Sequence, residues 1–352
     1  MKKTNVLYLF SSRSFSILLL LFFICPLLVT AQKTERYEFS SRHMGTTFRI
    51  VLYTQSQTLA DSASQAAFEK VEELNSILSD YDPNSELNRL SRTSGRDTAV
   101  VVSEPLFKTL AFAQKVARQT DGAFDVTVGP YVQLWRQMNR QMQPELPSKE
   151  LLSKTGSGVG YQNLKLNRQT QSVLLAQKNM QLDLGGIAKG YAVDEALKVL
   201  REHGINAVLV DGGGDIALGD PPPGRMGWNI EVLTHDSSGV RDKIMLSLSN
   251  KAVATSGDLY QHVEIDGTRY SHIIDPRTGL GLTDRRQVTI IAPDGITADS
   301  YASAASVLQP QSALDLIENM QDIALFMEQN EPDGIRQWMS NEFRVLFETK
   351  AN

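Results

Sequence analysis

The sequence predicts an α+β fold, with mixed and antiparallel central sheets flanked by helices. Three observations carry that expectation. Short runs such as residues 48–53 and 228–233 alternate apolar with other side chains, and 288–292 reads as a buried strand. Between them, residues 60–78 repeat apolar side chains at helical spacing. The two kinds of segment do not alternate as regular βαβ units, which disfavours a doubly wound parallel sheet.

The elements follow in order. Residues 32–42 read as a polar lead-in, and His43-Met44-Gly45-Thr46-Thr47 enters the strand at 48–53. The helix at 60–78 gathers Ala67, Phe68, Val71, Leu74 and Leu78 on one face. It stops at Asp80-Tyr81-Asp82-Pro83, where proline forbids continuation. Residues 85–90 form a helical turn. A second helix starts at Pro105, buries Leu106, Leu110, Ala113 and Ala117, and ends at Asp121-Gly122. The run GAFDVTVGPYVQLW, residues 122–135, reads as a short strand and a glycine-proline turn; residues 138–158 read as a polar loop, a candidate surface insertion. Leu182 and Leu184 flank Asp183 as in a half-buried strand. Gly185-Gly186 then lets the backbone take positive φ and a ligand come close. From Ile187 the apolar residues return at helical spacing. Residues 207–210 form a strand that runs into Asp211-Gly212-Gly213-Gly214-Asp215. Residues 228–233 pair with 244–248, residues 251–256 and 260–265 are strands, and Asp266-Gly267 marks a hairpin. Residues 297–308 and 312–319 are helices, and 323–326 and 343–347 are closing strands.

Composition narrows the function. The chain has 352 residues, 41% of them hydrophobic, enough for a sizeable core. Residues 1–31 read as a signal peptide: Lys2, Lys3 and Arg13 precede an apolar core, and Val29-Thr30-Ala31 ends in a small residue. Residues 32–352 then form a single exported, periplasmic domain, which an uncleaved segment would keep at the inner membrane. Cys25 is the only cysteine. A lipoprotein signal wants a small residue before the cysteine, and here it is Ile24. Cleavage removes the one thiol, and with it disulfides and cysteine catalysis. The formal net charge is −5, and the leader carries no acid, so the body is more acidic than the whole chain. That argues against a nucleic-acid groove. An anionic ligand must be met by local cations or a metal.

Four clusters can carry chemistry. Asp183 and Lys189 bracket the glycine turn, whose free N–H groups make a floor for a phosphate or metal; the alternative is a plain glycine-bent connection. Tyr270-Ser271-His272-Ile273-Ile274-Asp275-Pro276-Arg277-Thr278-Gly279 is the densest polar cluster. His272 suits a general base, or else a histidine satisfied by backbone, and Arg277 suits either a phosphate oxygen or a turn-pinning pair with Asp275. Asp299 and Ser303 are four residues apart, so they share a helical face. A carboxylate and a hydroxyl there suit a hard cation such as Mg²⁺, though helix capping by Thr297 or Asp299 is the plainer use. The DGGGD run, residues 211–215, is either a tight turn or a close pass to a nucleotide. Tyr81 and Phe124 are candidates to stack on a flat ring, against core packing as the default. His43, His203, His235 and His262 have no metal-ligand spacing, which disfavours zinc.

The runs HMGTTFRI, DYDPNSELNRL, DGAFDVTVGPYVQLW, LDLGGIAKGYAVD, DGGGDIALG, SHIIDPRTGLG and TADSYASAAS together resemble, in content and order, the ApbE-type flavin transferases. The resemblance spans roughly residues 44–308. It implies an exported, Mg²⁺-dependent FAD:protein FMN transferase. Such an enzyme cleaves the FAD pyrophosphate, releases AMP and links FMN by a phosphoester to a threonine or serine of a partner, such as a subunit of a membrane redox complex. By the same resemblance, Met44, Tyr81, Ala123, Phe124, Asp125, Asp183, Lys189 and Ile273 are FAD contacts. Gly186, through its carbonyl, with Asp299 and Ser303, is the Mg²⁺ site, and His272 is the base. The family more often has threonine where this chain has Ser303, which keeps the hydroxyl. Two alternatives stand beside transfer: an FAD pyrophosphatase, and a non-catalytic exported flavin-binding protein. In the family an asparagine near the Tyr81 position goes with hydrolysis, and tyrosine with transfer.

Overall fold

In a computed structural model that describes residues 34–140, 142–235, 239–257, 262–331 and 333–348, fifteen strands form four sheets. In chain order they are β1 (Glu35–His43), β2 (Thr46–Thr54), β3 (Val100–Val101), β4 (Leu164–Asn167), β5 (Ser172–Leu175), β6 (Val208–Asp211), β7 (Asp215–Leu218), β8 (Trp228–His235), β9 (Arg241–Leu248), β10 (Ala252–Gly257), β11 (His262–Ile265), β12 (Thr268–Ser271), β13 (Arg286–Ala292), β14 (Ala324–Glu331) and β15 (Gly334–Met339). The main sheet has the order β1-β2-β6-β7-β10-β13-β14-β15, which is chain order, and every neighbouring pair is antiparallel. The signal-peptide reading lies outside the described residues. Among the described residues, no helix is long and apolar enough to cross a membrane.

A period of two sorts the sheet's side chains onto two faces. Ile50, Val210, Ala254, Ile290 and Leu325 lie on one face, under helices Gln57–Leu78, Ala188–Glu202 and Gly295–Val307. Val51, Leu209, Val253, Ile291 and Phe326 point the other way, where the β8–β9 hairpin and helix Asn341–Glu348 cover them. A third cluster joins Tyr131, Trp135 and Met138 of helix Gly129–Met138 to Ile265 and Ile274. Helices and strands thus occupy separate layers, the α+β arrangement expected.

Several local expectations change. The polar lead-in is strand β1, an edge strand paired along its whole length with β2, so its outer side chains need not be apolar. The strand expected after Gly122 is a turn, and the glycine-proline pair instead opens helix Gly129–Met138, where proline fits the first turn. Residues 138–158 are not all loop: Ser148 caps a helix, Lys149–Gly156. The strand around Asp183 shrinks to one bridge, Val128 to Gln181. Residues 343–347 lie in helix Asn341–Glu348, because the Ser340 hydroxyl accepts the Phe343 N–H and Phe343 alone is buried. Neither Gly185 nor Gly186 takes positive φ. Their role is space rather than handedness.

Candidate active site

Two chain segments more than a hundred residues apart meet on the helical face. A Cβ built on Gly186 would lie 2.6 Å from Ser303 Oγ and 3.4 Å from the Phe124 ring. One built on Gly190 would lie 2.1 Å from the Gly295 carbonyl and 2.7 Å from Asp299 Cβ. At Gly190 the backbone of the neighbouring helix leaves no room for a side chain, and at Gly186 the bend passes close against the Ser303 side chain. The Gly190 N–H donates to Asp299 Oδ2 at 3.0 Å. Helix Gly295–Val307 is capped by Asp294, which accepts from Thr297 N at 3.0 Å. Asp194, reaching across from the other helix, accepts from Gly295 N at 2.7 Å and Ile296 N at 2.9 Å. Three of the amides a helix start leaves unsatisfied are therefore bonded, two of them by the neighbouring helix. Asp299 does not cap its helix; it faces Gly190.

The charges around this contact are tightly held. Lys189 Nζ donates to Asp215 Oδ2. Burial pulls the Lys189 ammonium down, but the charges of Asp215 and Asp299 outweigh it and hold its pKa above the usual lysine range. Burial, then the charge of Asp215, pushes Asp299 up to about 7. A cation beside Asp299 would reverse that shift. The glycine run before Asp215 is a turn in which Asp211 Oδ1 accepts from Gly213 N and Gly214 N, both at 3.0 Å. Gly213 lies against Thr46 of the first hairpin, whose tip, Met44-Gly45, has positive φ at both residues.

A second cluster lies at the other end of the glycine bend. Asp183 Oδ1 accepts from Gly185 N at 2.8 Å, and Arg136 Nη2 reaches Asp183 Oδ2 at 3.5 Å. Arg136 also pairs with Asp80, and its guanidinium lies 4.0 Å from the centre of the Tyr81 ring. Burial, then the charge of Asp80, raises Asp183 to about 7. Tyr81 is 76% exposed. Helix Gly129–Met138, which supplies Arg136, also anchors the loop with His272 and Ile273: Trp135 Nε1 donates to the Gly279 carbonyl at 2.8 Å, and Gly279 packs on Tyr131. Ile273 N donates to Ser271 Oγ at 3.0 Å, Leu282 N donates to the Ile273 carbonyl at 2.9 Å, and His272 is exposed. Arg277 grips Asp275 with two hydrogen bonds of 2.8 Å, so the arginine pins its own turn.

Some of the named residues already have protein partners. Asp125 is buried and accepts from Thr127 N, Thr127 Oγ1 and Tyr161 N at 2.7–2.8 Å, bonds that build the turn before helix Gly129–Met138. Ala123 and Phe124 are buried beside it, Phe124 only 7% exposed, so its side chain packs more than it stacks. Sequence reasoning did not single out Arg136, Asp80 or Asp194. Arg136 directly follows the quoted GPYVQLW run and Asp80 opens DYDP, so the signal was a charge at a motif's edge. Among the described residues, no group of three or more His, Cys, Asp or Glu gathers to hold a metal; the candidate donors are one carboxylate, one hydroxyl and one carbonyl. A groove of about 600 Å³, lined by Phe39, His43, Phe68 and Glu72 among others, lies between β1 and helix Gln57–Leu78.

The model of the ApbE family matches residues 44–327. The FAD:protein FMN transferase of Haemophilus influenzae is 30% identical over 91% of this chain and 94% of its own length. That of Vibrio cholerae is 32% identical over 88% of this chain and 92% of its own length. Among solved structures, the flavin transferase ApbE from Vibrio cholerae superposes with a TM-score of 0.81 at 28% identity, covering 89% of this chain and all 100% of that one. The ApbE protein from Thermotoga maritima gives 0.77 at 29% identity, over 89% and 99% of the two chains. With the matched stretch carrying both helices and both clusters, this chain belongs to the ApbE family.

Proposed function

We propose that this protein is an exported, Mg²⁺-dependent FAD:protein FMN transferase. The hydroxyl oxygen of a threonine or serine on a partner protein attacks the FMN-side phosphorus of FAD. The bond to the AMP phosphate breaks, AMP leaves, and a phosphoester joins FMN to the partner. The observation that carries the reading is the double contact of Gly186 with Ser303 and of Gly190 with Asp299. It gathers the glycine bend and both side-chain donors of the late helix at one place. Curated relatives of similar length bear the same activity as their name.

The donor set fits the ion. A carboxylate, a hydroxyl and a backbone carbonyl are all oxygen ligands, as a small hard dication prefers, and Asp299 uses only one oxygen on Gly190. Bound by Asp299, Ser303 and the Gly186 carbonyl, magnesium would offset charge on the pyrophosphate oxygens. The start of helix Ala188–Glu202, which follows the glycine bend, adds positive potential on an acidic protein, and Lys189, though paired with Asp215, keeps its charge there. Phosphoryl transfer needs this positioning and charge cancellation more than covalent help. His272, exposed on its loop, takes the hydroxyl proton as the new bond forms. Tyr81, Asp183, Met44 and Ile273 line the approach to the dinucleotide.

The test incubates the purified protein with FAD and Mg²⁺, with and without an exported redox-subunit domain from the same genome. AMP release only with that acceptor, plus a fluorescent acceptor band, is expected. AMP without acceptor indicates an FAD pyrophosphatase instead. Bound FAD with no AMP indicates a flavin-binding protein without turnover.

A further inference from the structure

We infer that Arg136 is a positioning residue that sets the Tyr81 ring as a stacking platform for a planar heteroaromatic ring of the dinucleotide; this rests on the site being an FAD site. The Arg136 guanidinium meets three groups at once. It pairs with Asp80, reaches Asp183 at 3.5 Å, and lies 4.0 Å from the Tyr81 ring centre. A guanidinium is flat and donates along its edge, so it can bind two carboxylates in its plane while its face covers a ring. A lysine ammonium has no such geometry.

The platform is also held from below. Ser79 Oγ accepts from Tyr81 N and Asp82 N, both at 3.2 Å. The buried Asn88 side chain donates to the carbonyls of Asp80 at 3.0 Å and Asp82 at 2.7 Å. The main chain is thus fixed and one ring face is covered, yet Tyr81 remains 76% exposed. An aromatic ring so held loses little freedom when a flat ligand meets its open face. Asp183, on the same guanidinium, begins the segment that bends at Gly185-Gly186 toward Ser303. Arg136 therefore ties the ring platform to the strip of backbone proposed to face the pyrophosphate, and sets the span between them.

The experiment measures binding of FAD, FMN and AMP to the whole protein by calorimetry and flavin fluorescence, with transfer kinetics alongside. Arg136→Met should raise the Kd for FAD about tenfold, the scale of one lost ring stack. It should lower kcat/KM far more than kcat at saturating FAD. Arg136→Lys should restore the melting temperature but not the affinity. Tyr81→Leu should weaken FAD similarly, and adding Arg136→Met to it should change little, because the two act as one unit. Weakened FMN places the flavin on Tyr81 and weakened AMP places the adenine; either agrees with the inference. Wild-type affinity for all three ligands in Arg136→Met, or fully additive losses in the double variant, overturns it. A wild-type protein that binds no FAD overturns the proposed function instead.

Discussion

Asp299 does two things, and substitution can separate them. Its carboxylate accepts the Gly190 N–H in the buried helix contact, and it is the proposed charged ligand of the metal. Asp299→Asn keeps an acceptor and removes the charge. Turnover should fall by ~10²-fold or more, since a fixed charge partner of the reacting centre is lost. The melting temperature should stay within a few degrees. Asp299→Ala should also lose the melting temperature, because a buried amide is left unpaired at a cost of about 1–3 kcal/mol. Wild-type rates in Asp299→Asn would remove the residue from the metal site. His272→Ala should lower the rate by ~10²–10⁴-fold near neutral pH while FAD affinity holds. An unchanged pH–rate profile would count against it as base. At this scale the sequence was informative where partners are near in the chain. Asp299 and Ser303 share a helical face by spacing alone. Arg136 was not legible, because its carboxylates lie 56 and 47 residues away.

The two helices of the site are locked by a glycine contact and a shared cap. Gly190→Ala would drive a methyl group into the Gly295 carbonyl, so the helices must part. A loss of about 1–3 kcal/mol is expected, with a matching loss of Mg²⁺-stimulated turnover. Denaturant midpoints and metal titration check both. Asp194 adds a pH dependence. Burial is the main reason its carboxyl is raised to about 7, above the ~4 of an unfolded chain. Its contribution to stability is full below about pH 4 and is lost as the pH climbs through about 7. Asp194→Asn removes that loss, so the variant should gain on the wild type between pH 5 and pH 8. A flat difference across that range would contradict the assignment. The helical face of residues 60–78 was legible from apolar spacing. Strand β1 and helix Asn341–Glu348 were not. One is polar because it is an edge, and the other is set by a serine cap rather than by a long apolar stripe.

Across the whole molecule, the sheet separates chemistry from support. The candidate site lies with the helices over one face, while Phe343 stacks on Phe326 on the other, ring centres 5.2 Å apart. Phe343→Ala should cost ~3–5 kcal/mol in stability yet leave kcat/KM for FAD unchanged at temperatures where the protein is folded. Calorimetry and initial rates test the two halves. The α+β class was readable from the lack of βαβ rhythm, but the strand order was not, since pairing depends on residues far apart in the chain. One consequence follows from the glycine contacts. Gly186 and Gly190 are four residues apart, and so are Ser303 and Asp299 opposite them. The two segments therefore work like the jaws of a caliper. Deleting or inserting a single residue between either pair lets one jaw close only by opening the other. Length changes there should be the least tolerated in the chain, even where every point substitution is mild.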